Sequence, residues 1–315
     1  MAIHVITEGR VHFAHHVNVK PFNIGDYLCG PYHYFNFDLE ASSSLVGRCI
    51  VIGGGAIPDA ENTFIDSPYT IMIVWATGGS VPLSTTNNES AGLRTKLRRI
   101  WRSVYLIGKN KIVGRRRRLY VSTRDPKSAS SERPLLPCVS CLHPICDSPH
   151  GSGIAVVVNE NSAVSGDVSL LRRSIANYFP EVVFETNALS ESKLFEVFGS
   201  CDRLVTNSYH IAYWGLLSGR RVQLIGYSSK SVDLLRLLGC DADLRDRVPR
   251  GDGDMLLSSI FASLRDPNWA SLIDATVTKA KFRQLNRDFA QYLTNDIVGL
   301  NIIEQKKMVS GFKSI

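Results

Sequence analysis

Short apolar stretches alternate with helical patterns along most of the chain. Each apolar stretch ends in a turn rich in glycine, threonine, asparagine or aspartate, and a stretch with helical periodicity follows. This alternation is typical of mostly parallel sheets with helices on both faces. We predict strands at His4–Thr7, Cys49–Ile52, Thr70–Ala76, Leu119–Ser122, Ile154–Val158, Val182–Phe184, Arg203–Thr206 and Val222–Ile225.

The alternation is interrupted once, between Lys127 and Gly153, where serine, proline and glycine dominate. A length of 315 residues is typical of two domains of ordinary size. We therefore predict an α/β protein with two Rossmann-like domains, an N-terminal one over residues 1–150 and a C-terminal one over residues 151–315. A long helical pattern from Trp269 to Ile297 is predicted to close the fold by crossing back to the first domain.

The composition indicates a globular chain, with 44% apolar and 21% charged residues. Its longest apolar runs, such as Ile71–Ala76, are much shorter than the roughly 20 residues that span a bilayer. No secretory pattern opens the sequence, and its seven cysteines are scattered rather than arranged as a disulfide framework. We therefore expect a cytoplasmic protein.

The net charge of +7 is concentrated in one segment. Eleven lysines and arginines and no acidic residue lie between Arg94 and Arg118, so the rest of the chain sums to −4 (7 − 11). Apolar residues here follow one face of a helix: Leu93, Leu97, Ile100, Trp101 and Val104. The segment is either a helix packed on the sheet with a solvated basic face, or a peripheral contact with an anionic membrane. Nothing accompanies the charge that predicts nucleic-acid binding.

The stretch from Arg203 to Ile225 predicts a strand, a helix and a second strand. Asn207 and Ser208 occupy positions typical of a helix N-cap, and Gly219 a position typical of a helix stop. His210 is therefore expected in the first helical turn, at a sheet edge where free backbone N–H groups favour anions. An imidazole there is a candidate for proton transfer, although an apolar helix also accommodates histidine as a core residue.

Two further segments place cationic side chains after predicted strands. Arg124 can bind a carboxylate or phosphate, or it can pair with Asp125 to stabilise the turn. Ser228, Ser229 and Lys230 precede a predicted helix, where they can bind phosphate or serve as an ordinary cap with an exposed lysine. Successive units bearing His210 and Lys230 favour one shared anionic site.

Two turns in the first half of the sequence contain glycine. Asn23, Gly25 and Asp26 precede a predicted helical stretch, Tyr27–Tyr34, so the aspartate is either a helix cap or a base or sugar ligand. Gly54 lies in a triple-glycine turn that can approach a ligand closely. This turn lacks the spacing of dinucleotide-binding and P-loop motifs, so neither site is predicted.

A cluster of potential metal ligands lies in the interrupted region, at Cys138, Cys141, His143 and Cys146. Cysteines separated by two residues occur in zinc sites, but structural sites usually draw a second ligand pair from far along the chain. We predict no metal, and a stiff loop framed by Pro137 and Pro144 is the alternative to a zinc site.

Taken together, these segments resemble the polysaccharide pyruvyl transferase family. The resemblance rests on the order and spacing of motifs across residues 20–240: Asn23–Asp26, Arg124–Pro126, Pro137–Cys141, Thr206–His210, Tyr213–Trp214, Leu217–Arg220 and Ser228–Lys230. It implies a two-domain fold similar to GT-B glycosyltransferases, with an acceptor side in the first domain and a donor side in the second.

The resemblance also implies an activity: transfer of a pyruvyl group from phosphoenolpyruvate to sugar hydroxyls of an exopolysaccharide or lipid-linked repeat unit. No cofactor is implied besides this donor substrate. By carry-over, His210 is the general acid, Asp26 faces the acceptor, and Arg124 and Lys230 bind the anionic donor. Family members often carry arginine two residues before this histidine, where this chain has Ser208. The further predicted substrate contacts are Asn23, Gly25, Gly54, Asn207, Ser208 and Ser229.

Two other functions remain open on the sequence alone. A GT-B-type glycosyltransferase with a nucleotide-sugar donor would use similar helix N-termini to bind a diphosphate. A non-enzymatic, membrane-associated scaffold would use the basic segment and not the histidine.

Overall fold

A computed structural model describes residues 3–8, 10–16, 22–55, 68–79, 117–240, 246–266 and 269–305. Its strands are β1 Ile3–Glu8, β2 Val11–His16, β3 Phe35–Leu39, β4 Cys49–Gly53, β5 Ile71–Thr77, β6 Arg118–Thr123, β7 Gly153–Val158, β8 Val183–Thr186, β9 Cys201–Thr206, β10 Arg221–Gly226, β11 Asp246–Arg247 and β12 Leu300–Glu304. Its α-helices are α1 Ile24–Leu28, α2 Ser162–Ser165, α3 Val168–Tyr178, α4 Glu191–Ser200, α5 Tyr209–Leu217, α6 Ser229–Leu238, α7 Gly253–Arg265 and α8 Ala275–Asp296.

Within these ranges the strands form two five-stranded sheets and one two-stranded sheet. The first sheet has the order β1-β2-β4-β5-β6, and only its β1–β2 pair is antiparallel. The second has the order β11-β10-β9-β7-β8 and is parallel throughout. The predicted α/β class with mostly parallel sheets is confirmed, and it is compatible with Rossmann-like folds.

The burial of the central strands explains why they could be read from the sequence. Every residue of β4 and β5 is buried, as expected for parallel strands covered on both faces. Such strands are near-continuous apolar runs in the sequence. All eight predicted strands are present, and each end lies within two residues of the predicted one.

The C-terminal helix α8 contacts the cores of both large sheets. Phe282 belongs to the apolar cluster around α5, whereas Phe289 and Leu293 belong to the cluster under β5. The indole Nε1 of Trp75 donates to Oδ1 of buried Asn286 at 2.8 Å, and β12 then pairs antiparallel with β3. Helix α8 therefore packs against the cores of both sheets. The division of the chain at residue 150 stays a prediction.

Two helical predictions had wrong boundaries. The stretch Tyr27–Tyr34 is not one helix: α1 ends at Leu28, and a separate 3-10 turn runs from Pro31 to His33. Proline lacks the N–H that an α-helix needs and restricts the residue before it, which separates the two turns. The long helix begins at Ala275 rather than near Trp269, because the Asp274 side chain caps it by accepting from Val277 N.

Within the described ranges, none of the helices combines the length and apolar character needed to cross a bilayer. The predicted basic helix lies outside these ranges, apart from Arg117 and Arg118 at the start of β6.

Candidate functional site

Residues that follow strands of both large sheets meet in one buried cluster. The N–H of Ile24, at the start of α1, donates to the carbonyl of Asn187, which follows β8, at 2.9 Å. Arg124, immediately after β6, lies against Tyr209 at the start of α5. The carboxyl ends of parallel strands are where α/β proteins bind ligands, so this junction is the candidate site.

His210 packs directly on the backbone of Gly25. A Cβ atom added at Gly25 would lie 2.6 Å from Cγ of the imidazole and closer still to Nδ1. Only glycine permits this approach, because real Cβ atoms do not come so near to a rigid ring. The structure therefore brings the predicted general acid and the predicted acceptor-side turn into contact.

Arg124 is a buried cation with unused hydrogen-bonding capacity. It is 2% exposed, and its Nε and Nη1 atoms have no hydrogen-bond partner among the described residues. Its guanidinium carbon lies 4.1 Å from the centroid of the Tyr209 ring. The Asp125 carboxylate accepts from Gly79 N at 2.5 Å, and no hydrogen bond joins it to either of these two arginine nitrogens. An unsatisfied buried guanidinium is costly, and an anionic ligand would relieve that cost.

Two neighbouring helices begin without a side-chain cap. Among the eight α-helices of the described residues, six have an Asn, Asp or Ser side chain bonded to a first-turn N–H. The exceptions are α5, preceded by Ser208, and α6, preceded by Ser228, although both preceding residues are of the capping type. Free N–H groups at the start of a helix favour anions, so the two uncapped ends add to the attraction of Arg124.

The start of α6 supplies further polar groups. The hydroxyls of Ser228 and Ser231 are fully buried and have no hydrogen-bond partner in the described part of the chain. Lys230 is half-buried, with its ammonium 4.9 Å from the centroid of the Tyr227 ring. Its positive charge is close enough to contribute to the pKa of His210. Ser229 is half-buried in the same turn. The predicted grouping of His210 with Lys230 is therefore realised in space.

The surroundings of His210 keep its imidazole neutral. Burial lowers its pKa to about 3, the positive charges of Arg124 and Lys230 add to the lowering, and Asp26 opposes it. The ring is therefore unprotonated at neutral pH, and an anion bound near these cations would raise its pKa.

This lowered pKa predicts how stability depends on pH. Unfolded histidine titrates near pH 6.5, so from there down to about 3 the unfolded chain binds a proton that the folded protein does not. The contribution of His210 to the free energy of unfolding is fully present above pH 6.5. It decreases at lower pH, by about 2 kcal/mol between pH 7 and pH 5. We expect His210→Asn to lose less stability than the wild type over this range in urea unfolding. A His12→Asn control, altered away from the cluster, should keep the wild-type slope, and equal slopes in all three proteins would contradict the assignment.

Asn23 and Asp26 are joined to each other within the turn. The Asn23 amide oxygen accepts from the backbone N–H groups of Gly25 and Asp26, and its Nδ2 donates to the Asp26 carboxylate at 2.9 Å. Asn23 is therefore the helix cap, which fixes the turn under His210. Asp26 is half-buried beside it and is close enough to influence the histidine pKa.

Asn207 has a structural role that the sequence did not predict. Its amide oxygen accepts from Asn159 N at 2.7 Å, and its Nδ2 donates to the Ser165 hydroxyl at 3.0 Å. The side chain thus ties the end of β9 to the loop after β7 and to the last residue of α2, and it does not cap α5. The buried Ser208 receives a backbone constraint instead, as its N–H donates to the Thr206 hydroxyl.

Gly54 has a positive φ of +61°, and a Cβ there would overlap the carbonyl oxygen and sulfur of Cys29. The glycine is required by backbone packing against α1. It therefore supports the site by holding the loops together.

The cysteine-histidine loop is not arranged as a metal centre. Nδ1 of His143 accepts from Ile145 N at 3.2 Å, so Nε2 carries the proton and donates to Glu191 at 2.8 Å. Both ring nitrogens are thus occupied, and no group of three potential metal ligands is found within the described ranges. The loop instead places Cys138 next to the candidate site.

Three residues of the cluster were missed in the sequence as site residues. Cys138 Sγ lies 3.7 Å from Nε2 of His210. Among the residues that the structure describes, the buried Tyr209 hydroxyl and Nδ2 of Asn187 have no hydrogen-bond partner. Burial raises the pKa of Tyr209, so its hydroxyl remains a donor. Tyr209 precedes the predicted site residue His210 in the sequence. Cys138 and Asn187 reach the site through long-range packing, which local sequence patterns do not reveal.

In comparisons with protein-family models, curated proteins and solved structures, nothing was found that matches this chain.

Proposed function

We propose that the protein is a pyruvyl transferase that moves the pyruvyl group of phosphoenolpyruvate onto sugar hydroxyls, forming a ketal. We further infer a GT-B-like arrangement, in which the first sheet carries the acceptor side and the second the donor side. The acceptor would be an exopolysaccharide or lipid-linked repeat unit, and no cofactor is required.

One observation carries the proposal: the buried Arg124 guanidinium has unpaired nitrogens beside His210 and two uncapped helix starts. Phosphoenolpyruvate has a carboxylate and a phosphate, so it needs several cationic or N–H donors and also a proton source. Arg124, Lys230 and the starts of α5 and α6 provide the donors, and His210 lies among them.

The chemistry proceeds by protonation and substitution. A proton added to the methylene carbon makes C2 electrophilic, and a sugar hydroxyl then bonds to C2 while losing its proton. A second hydroxyl of the same sugar then bonds to C2 as the C2–O bond to phosphate breaks, and the departing phosphate takes up the proton of that hydroxyl, which closes the ketal. In this scheme His210 donates the proton to the methylene, and Asp26 accepts the proton of the attacking hydroxyl.

Donor binding would prepare His210 for its role. In the free protein, burial and the charges of Arg124 and Lys230 keep the ring neutral. The negative charges of the donor would offset both cations and raise the histidine pKa, so proton uptake would accompany binding. The protonated ring is then the general acid.

The basic segment Arg94–Arg118 supports a peripheral association of the protein with a membrane. A cytoplasmic enzyme acting on lipid-linked saccharides would benefit from a peripheral contact with anionic lipid.

Thermal unfolding with phosphoenolpyruvate tests the proposal. We expect the donor at about 100 times its Kd to stabilise the protein by about 2.7 kcal/mol, whereas UDP and GDP leave the melting temperature unchanged. Inorganic phosphate and pyruvate, tested separately, measure what each half of the donor contributes. Stabilisation by a nucleotide alone would replace pyruvyl transfer with a glycosyltransferase that uses a nucleotide sugar. No response to any ligand would favour the membrane-associated scaffold.

A further inference from the structure

A chain of hydrogen bonds leads to His210 through the apolar cluster around helix α5. Trp214 Nε1 donates to the Ser140 hydroxyl at 3.1 Å, and that hydroxyl lies 3.2 Å from the Cys138 sulfur. The sulfur in turn lies 3.7 Å from Nε2 of His210. Trp214, Ser140 and Cys138 are fully buried and His210 is 4% exposed, so water does not compete for these groups.

The indole fixes the direction of the chain. An indole N–H only donates, so the Ser140 oxygen accepts from Trp214 and can give its own hydrogen to the Cys138 sulfur. The thiol hydrogen then goes to Nε2 of His210. If the Cys138 thiol donated to Ser140 instead, the buried Ser140 hydroxyl hydrogen would have no acceptor among the described residues. That arrangement is disfavoured because an unmade buried hydrogen bond costs free energy.

Acceptance at Nε2 leaves the imidazole proton on Nδ1. Which ring nitrogen is protonated is set by the hydrogen bond that the other nitrogen makes. Nδ1 lies on the side of the ring that packs against Gly25, in the turn that also holds Asp26. The proton is therefore on the side that faces the acceptor turn, and it stays there when the ring gains a second proton at Nε2.

We propose that Cys138 is a positioning residue whose thiol donates to His210 and holds the imidazole as the Nδ1–H tautomer. The tautomer is a property of the free protein; its use in protonating phosphoenolpyruvate rests on the proposed function. The cysteine thereby keeps a proton on Nδ1, the nitrogen on the side of the acceptor turn, and does not itself touch the reacting atoms.

Nitrogen NMR of protein labelled with ¹⁵N-histidine tests this directly. The signals of His210 are identified as those absent from the His210→Asn variant, and at pH 7.5 we expect its cross-peak pattern to be that of a neutral Nδ1–H ring. Cys138→Ala removes the donor and should shift the ring toward the Nε2–H tautomer. Cys138→Ser keeps a donor and should restore the wild-type pattern.

Cys141→Ala is the matched control, because this buried sulfur in the same loop contacts Asn286 rather than His210. Its spectrum should retain the wild-type His210 tautomer. An Nε2–H ring in the wild type, or an unchanged ring in Cys138→Ala, would overturn the proposal. The wild-type spectrum decides the tautomer even where a variant fails to fold. Because no donor is added, this result is independent of whether phosphoenolpyruvate binds.

Discussion

Replacement of His210 by alanine is expected to lower the rate of pyruvyl transfer by ~10²–10⁴-fold, the usual cost of losing a general acid. Donor affinity should fall much less than turnover, because the imidazole is neutral in the free protein and gains its proton only when the donor binds. The measurement is phosphate release from phosphoenolpyruvate with a panel of hexose and N-acetylhexosamine glycosides as acceptors, together with calorimetric titration of the donor. A fall in kcat at constant Kd separates a chemical role from a binding role.

The matched control for this variant is His12→Ala, which removes a half-buried histidine from strand β2. We expect its turnover to remain at the wild-type level. Near-normal turnover in a correctly folded His210→Ala protein would show that the proton comes from another group. A loss of donor affinity as large as the loss of turnover would instead make His210 a ligand contact.

Replacement of Arg124 is expected to weaken phosphoenolpyruvate binding by about 10- to 150-fold. Hydrogen bonds to charged groups contribute about 1.5–3 kcal/mol, and every 1.4 kcal/mol is a factor of ten in Kd. Its Nε and Nη1 have no hydrogen-bond partner in the described ranges, so the unliganded protein gains little from them there. Arg124→Met preserves the apolar volume of the side chain and removes the charge, so calorimetric titration of this variant isolates the anion contact.

The same substitution has an informative effect on stability. Because Nε and Nη1 have no hydrogen-bond partner among the described residues, Arg124→Met breaks no hydrogen bond at these two atoms and should fold while losing the response to the donor. Arg124→Lys retains the charge without the planar fork and should bind with intermediate affinity. The exposed Arg173 provides the control, because Arg173→Met should leave donor binding unchanged. A large loss of stability in Arg124→Met with undiminished donor binding would assign the arginine a structural role.

The local pattern determined the elements and the places where chemistry could occur. Buried parallel strands appear as apolar runs, and the turns that end them carry glycine and capping residues, so β4, β5, β9 and β10 could be located without a structure. The position of His210 in the first turn of α5 followed from the same local signals. These features depend on interactions among residues close in sequence.

The antiparallel strands β3 and β12 were not predicted. β3 buries alternate residues and pairs antiparallel with β12, more than 250 residues later. Neither strand is flanked by the strand–turn–helix pattern that marks the parallel strands. The register between two such distant segments is decided by packing against helix α8.

The tertiary structure alone decided what the candidate residues do. Asn207 and Arg124 were both predicted to contact substrate. Packing pairs the amide with Asn159 and Ser165, whereas Nε and Nη1 of the guanidinium have no hydrogen-bond partner among the described residues. Cys138 reaches His210 across 72 positions of sequence. The sequence by itself determined the residue types at the sheet edges; burial and long-range hydrogen bonding decided which of their groups remain available for a ligand, because each buried polar atom is either satisfied by a distant partner or left unpaired.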